Sequence, residues 1–288
     1  MTGAPASGRW RRRAGDAAAV ALAVVLLIWW LLPVYNMMLI ALDPEGKTEF
    51  SGDIWPAAPT LEAFRGVLFQ RYWYLQDFWH QFGNSLFIGV TTLLLTVLIS
   101  SLAGFAMGRM GLGKDGVIST TALLVYIVPT YFLVIPLYRL MHSYGLMDSL
   151  WAVIAADVTF AIPYAVLILQ WYARLIPIEV DESARIDGAS PPQVYLRIYL
   201  PLMAPTLAVV GTSALLAAWN EYLYQFLLLS SPRNKTVAIT LATFFGSEDT
   251  PWNYPVAASF IYSVPPIVLF FVVRRYIAAG LTLGSVKG

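Results

Sequence analysis

The chain is 288 residues long, 58% hydrophobic and only 12% charged, with a mean hydropathy of +0.66. Ordinary soluble domains carry about a quarter charged residues, so that class is excluded, and a net charge of +1 leaves no basic footprint for nucleic acid. The absence of cysteine excludes disulfides, thiolate metal sites and thiol nucleophiles together. The two histidines, His80 and His142, lie far apart near predicted span ends and make no metal pair.

A membrane-spanning helix needs roughly 20 apolar residues. Residues 17–42 form the first such run, after Arg9, Arg11, Arg12 and Arg13. The run is too long for a signal peptide and lacks a small-x-small cleavage site, so it reads as a retained anchor. Residues 43–81 follow, rich in Trp55, Trp73, Tyr74 and Trp79, rings that settle at a membrane interface. Further spans are expected at 85–108, 116–138, 150–172, 205–229 and 255–273. These runs do not alternate as barrel strands would, so the spans are helices. Pro129, Pro136, Pro163, Pro265 and Pro266 interrupt them, and each removes an amide donor.

Six spans place both termini on one side. With a cytoplasmic N-terminus, the inside segments hold Arg9, Arg11, Arg12, Arg13, Arg109, Lys114, Arg174, Arg185, Arg197, Arg274, Arg275 and Lys287. The outside segments hold Lys47, Arg65, Arg71, Arg139, Arg233 and Lys235, so the positive-inside rule favours this orientation. The expected fold is an all-α membrane domain over 1–288, with a core of about 84–277, a cytoplasmic loop at 174–203 and a cytoplasmic tail at 278–288.

The 174–203 loop has the local signals of two short helices. Pro177 suits a helix start, and Glu179, Asp181 and Glu182 favour its positive end. Gly188 ends the first helix. Ser190-Pro191-Pro192-Gln193 opens the second as a capping box, with Val194, Ile198 and Leu200 turned toward the protein.

The spacing Glu182-x-Ala184-x-x-x-Gly188, followed by Ile198-x-Leu200-Pro201, resembles the coupling loop of permease subunits of bacterial ATP-driven (ABC) importers. Ser183 stands where alanine is usual, a small-for-small change. The resemblance implies that the first helix docks in a cleft of an ATPase subunit. Glu182 would pair with a basic group there, Ala184 would face the cleft wall, Gly188 would supply the bend, and Asp187, Leu200 and Pro201 would complete the motif. Ile186-Asp187-Gly188-Ala189-Ser190, Trp219-Asn220-Glu221-Tyr222 and the ending from Ala279 to Gly288 are similar to the carbohydrate branch, in its second, maltose-transporter-type permease. That similarity runs from about Asn84 to the end, while the first span and outside loop match only in length and polarity.

The resemblance further implies a multi-pass protein of the bacterial inner membrane. Its partners would be an ATPase dimer, a second homologous permease and an extracytoplasmic solute-binding protein, and its substrate a sugar or polyol. No cofactor is expected in this chain, since ATP and Mg would bind the partner ATPase, and the tail would reach between the ATPase subunits. No catalytic or metal-binding residue is expected.

Charged residues inside spans suggest function. Asp157 lies roughly 10 Å into its span and Glu221 roughly 24 Å up a span rising from the other side, so both fall in the outer half of a core about 30 Å thick. Both carboxylates could accept sugar hydroxyls, with Tyr126, Tyr131, Trp219, Asn220, Tyr222 and Tyr224 as further lining candidates. In the polar 230–254 segment, Phe244, Phe245 and Trp252 are the candidates for contact with the binding protein, by position in the resembled family.

Two alternatives remain: an ABC importer of a non-sugar solute, and a secondary transporter driven by an ion gradient. The latter calls for inverted repeats, which the sequence does not display. Gly46-Lys47-Thr48 is no phosphate-binding loop, because Ala41 stands where its first glycine belongs.

Overall fold

Helix is the only regular structure in the computed structural model among the residues it describes, which are 6–46, 54–110, 124, 127–245 and 251–283. The first helices are α1 (Ala6–Leu42), α2 (Glu62–Leu68), α3 (Phe78–Arg109), α4 (Val134–Ser143) and α5 (Leu150–Leu175). The short α6 (Glu179–Ile186) and α7 (Pro191–Val194) come next, then α8 (Ala204–Asn220) and α9 (Leu223–Leu228). The chain ends with α10 (Val237–Phe245), α11 (Asn253–Tyr262) and α12 (Val264–Leu283).

Among the described residues, four helical stretches are long and apolar enough to cross a membrane: Gly15–Leu42, Phe78–Arg109, Leu150–Leu175 and Asn253–Tyr276. A fifth is reached if the bent pair Pro191–Leu202 and Ala204–Asn220, at 77°, counts as one. Ten of the 23 residues of the expected span at 116–138, Tyr126 among them, lie outside the described residues. Its described end is a 3-10 turn, Thr130–Leu133, after Pro129, followed by α4.

Two further expectations are corrected. The span expected at 205–229 ends at Asn220, where the chain turns extended at Glu221 before α9. The 230–254 segment is not a polar loop throughout. Val237, Ile239 and Phe244 of α10 are buried, because an apolar run of nine residues is too short to cross a bilayer yet must still be covered.

The chain forms two units, Met1–Gln76 with Phe244–Ile261, and Asp77–Thr243 with Tyr262–Gly288. In the first, α1 keeps its apolar side chains uncovered from Val20 to Val34, as an anchor in lipid would. The turn after α1 is tied down: Asn253 Nδ2 donates to Asp43 O at 3.0 Å and the Trp252 amide to Gly46 O at 3.2 Å. Tyr72 stacks on Tyr254 at 4.2 Å, and Phe244 lies against Tyr72 and Tyr74.

In the second unit α3, α5 and α8 pack against one another, and α12 lies along α8. Lipid offers no hydrophobic drive for helix pairing, so close approach of backbones does the work. Gly104 and Gly108, one turn apart on α3, supply it. A Cβ on Gly104 would stand 2.8 Å from Leu169 Cβ and 3.1 Å from the Gln170 backbone nitrogen, and one on Gly108 would stand 2.8 Å from Ala173 Cβ. Ser85, Thr92, Thr96, Ser100 and Ser101 continue the small buried face of α3. Near the start of α3, Asn84 Nδ2 donates to Arg233 O and Lys235 O, and a His80 ring nitrogen meets Arg233 O at 2.7 Å. His80 is therefore a loop latch.

Asp148 sits just before α5 with a positive φ of 56°. Its Oδ1 accepts the amides of Ser230 and Ser231, each at 2.9 Å. These hydrogen bonds, that from Ser231 first, hold its carboxyl down at about 2 against an ordinary 3.8. A depressed folded value means the contribution is complete above the ordinary value and lost as pH falls through the folded one. Asp148→Asn should therefore melt below the wild type at pH 7, and the gap should close between about pH 4 and about pH 2. Thermal melting of the detergent-solubilised protein across that range checks this. Gly104→Val should destabilise by about 3 kcal/mol, the upper end for overpacking, because backbone atoms cannot move aside. The melting temperature and purified yield are the readouts.

Candidate functional site

The hairpin between α5 and α8 is built from local rules and then clamped. In α6 the first-turn acids Glu179, Asp181 and Glu182 meet the positive helix end. The amide of Gly188, at φ +77°, donates to Arg185 O, and that of Ala189 to Ala184 O at 2.9 Å. That pair of bonds is a Schellman stop, which needs a residue at ease with positive φ. Gln193 Oε1 accepts the Ser190 amide at 2.8 Å, opening α7 as a capping box.

Beyond α7, residues Tyr195–Tyr199 form a π-helical turn in which the Leu200 amide reaches back to Tyr195 O. Pro201 has no amide to bond the Arg197 carbonyl, so the regular ladder cannot continue. The buried residues here are Val194, Tyr195 and Tyr199, with Ile198 and Leu200 half-buried. The sequence pattern missed both tyrosines. Tyr195 OH meets Ser101 Oγ at 2.8 Å, and Phe105 of α3 packs on both rings.

The clamp is Arg109, in the last turn of α3. Its Nε pairs with Asp181 Oδ2 at 2.9 Å, with both side chains buried. Nη1 donates to Ile176 O at 2.8 Å and Nη2 to Pro177 O at 2.9 Å, while the guanidinium lies over the Tyr199 ring. All three guanidinium nitrogens donate, a planar geometry lysine cannot supply.

A cavity of about 340 Å³ opens elsewhere in the same unit, within the size range of small-molecule sites. Asp157, Phe160, Ala161 and Tyr164 of α5 form one wall, and Val210, Ser213, Ala214 and Ala217 of α8 another. Glu221 and Tyr224 close one end with Thr130. Glu221 Oε1 and Oε2 accept the amides of Tyr224 and Gln225 at 2.8 and 3.0 Å, so this carboxylate caps α9. Tyr224 OH donates to Thr130 O, and its ring stacks on Phe160. No group of metal-ligating residues occurs among the described residues.

Residues 97–283 match the family model described as the binding-protein-dependent transport system inner membrane component. The chain belongs to that family. The permease is 30% identical over 261 residues to the trehalose transport system permease protein SugB of Mycobacterium tuberculosis, covering 90% of this chain and 93% of the other. It is 31% identical to the arabinooligosaccharides transport system permease protein AraQ of Halalkalibacterium halodurans, covering 89% and 91%. The diacetylchitobiose uptake system permease protein DasC of Streptomyces coelicolor is 29% identical, with coverage of 92% and 95%. Among solved structures, a bacterial ABC transporter that imports the acidic polysaccharide alginate matches with a TM-score of 0.77 at 18% identity, covering 96% and 100%. At that identity the likeness concerns the fold.

The permease brings together some of the expected site residues and separates others. Asp157 and Glu221, far apart in sequence, face one cavity, with Tyr224 beside them. Trp219 does not line it: the ring is buried and stacked on Tyr262 at 4.5 Å. Asn220 donates back to Leu216 O in its own helix, and Tyr131 and Tyr222 lie off the cavity. Ala184 faces the permease's own core with Phe105 and Tyr199, not an outside wall. Its small size serves the α3 contact. Glu182 and Asp187 are exposed, and Ile186 is 86% exposed.

Of the three residues expected to reach outward, Phe244 is buried under Tyr72 and Tyr74. Trp252 is exposed, and the side chain of Phe245 lies outside the described residues. The sequence reading counted Arg109 only as a positive-inside charge and Asp181 only as a first-turn acid. The available signal was spacing: Asp181 and Ala184 are three apart, on the face that must turn inward. Arg109→Ala should lower stability by about 3 kcal/mol, since it leaves a buried carboxylate unpaired. Adding Asp181→Ala should recover the ion-pair part but not the bonds to Ile176 O and Pro177 O. Melting curves and limited proteolysis at 176–203 read both effects, and a wild-type Arg109→Ala variant would rule the clamp out.

Proposed function

We propose that this permease carries a sugar or related polyol across the bacterial inner membrane, driven by ATP hydrolysis in a separate subunit. The working complex holds an ATPase dimer, a second homologous permease and an extracytoplasmic solute-binding protein. The sugar assignment draws support from the trehalose, arabinooligosaccharide and diacetylchitobiose permeases to which the chain is similar. The chain itself is not catalytic and carries no cofactor, because ATP and Mg bind the partner. Six spans with both termini in the cytoplasm put the hairpin on the ATPase side.

One observation carries the coupling role: an exposed acidic and apolar face on a short helix that is clamped from behind. Ile178, just before α6, and Glu182 and Ile186 within it, spaced four residues apart, are exposed on one side of the helix. The Arg109 fork holds the opposite face to the end of α3. Motion of a docked ATPase thereby reaches the bundle through α3 and, past the bend at Met203, through α8. Asp157 and Glu221 belong to the solute path in this reading, and Trp252 to the surface that meets the binding protein.

Charge reversal tests the docking face. Glu182→Lys should cut ATPase activity stimulated by binding protein at least tenfold, since a charge-assisted contact is worth about 1.5–3 kcal/mol and here becomes a repulsion. The chain should still insert and melt as the wild type does, because Glu182 is exposed. Full stimulation with normal co-purification of the ATPase would refute the role.

A further inference from the structure

The cavity between α5 and α8 has a wall chemistry that bears on which solute the importer reading admits. Two carboxylates face it, but they are not equivalent. Both oxygens of Glu221 are engaged by the backbone amides that start α9. Asp157 is only 8% exposed, and its Oδ2 has no hydrogen-bond partner among the described residues. A buried carboxylate oxygen without a partner is costly and is retained where something else comes to meet it. The remaining polar groups on the wall are hydroxyls, Ser213 among them. No lysine, arginine or histidine is among the described residues that line it.

We infer that this cavity is a solute site at which Asp157 accepts a hydroxyl or ammonium hydrogen, so that it takes neutral or amino sugars and rejects acidic ones. The inference rests on the importer reading and narrows its substrate class. A neutral sugar offers hydroxyl donors to Asp157 and apolar ring faces to Tyr164, Phe160 and Tyr224. An amino sugar adds a cation that Asp157 matches. A uronate shed of its water meets hydroxyls and two carboxylates, with no cation among the described lining residues to offset its charge. Glu221 acts on the site indirectly, by holding the break that places Tyr224.

The test uses the full complex in nanodiscs, with maltose, the chitosan disaccharide and digalacturonate as probes at matched concentrations. Maltose and the chitosan disaccharide should raise the melting temperature, and digalacturonate should not. Asp157→Asn should raise the half-saturating concentration of the chitosan disaccharide about tenfold, the step from a charge-assisted to a neutral hydrogen bond. Ala217→Phe, which fills the cavity from α8, should abolish both shifts while the yield and assembly of the complex stay those of the wild type.

Equal stabilisation by digalacturonate, or unchanged midpoints in both variants, would overturn the inference. ATPase activity stimulated by sugar-loaded binding protein is read in parallel. If it persists while none of the three probes binds, the importer reading stands and the cavity assignment falls. If no sugar-loaded binding protein stimulates it, the importer reading falls and takes the inference with it.

Discussion

At two breaks in its helices, side chains of this chain take over hydrogen bonds that the backbone gives up. The constraint is the solvent: lipid offers a freed carbonyl or amide nothing, and each unmet group costs several kcal/mol. At the break after α8, Gln225 Nε2 donates to Ala218 O and Tyr262 OH to Trp219 O. On the other side of that break, Glu221 accepts the two amides that open α9. At the end of α5, Arg109 donates to Ile176 O and Pro177 O. Four polar side chains thus make two interruptions tolerable, and these interruptions bound the two candidate sites.

The same constraint explains why the sites differ in character. The hairpin is held by a buried ion pair and a Schellman stop, so its outer face is rigid while its exposed residues are free to meet another surface. The cavity is held by helix packing and one capped break. Its lining is largely apolar, with a carboxylate oxygen left over. Both sites are attached to α3 or α5, the pair that Gly104 and Gly108 bring together.

Several features were legible before any coordinates. Composition excluded a soluble domain, and apolar run length located spans that appear as α1, α3 and α5. The hairpin was read from glycine, proline and capping-box positions, because those signals act within a few residues. Ala184 and Phe244 were misread for a shared reason. Each was assigned to an outside surface from its place in a motif or loop, whereas burial depends on which neighbour covers it. An eight-residue helix presents two faces, and its sequence does not say which one the protein keeps.

The sequence by itself determined the membrane class, the hairpin and the presence of two costly carboxylates within apolar runs, since each follows from local composition or spacing. Only the tertiary structure decided that Arg109 and Asp181 meet, that Asp157 and Glu221 share a cavity, and that one of those carboxylates is consumed by backbone amides while the other is not. These are contacts between groups tens of residues apart. They depend on how closely α3 and α5 approach and on where α8 breaks, and no local signal carries either quantity.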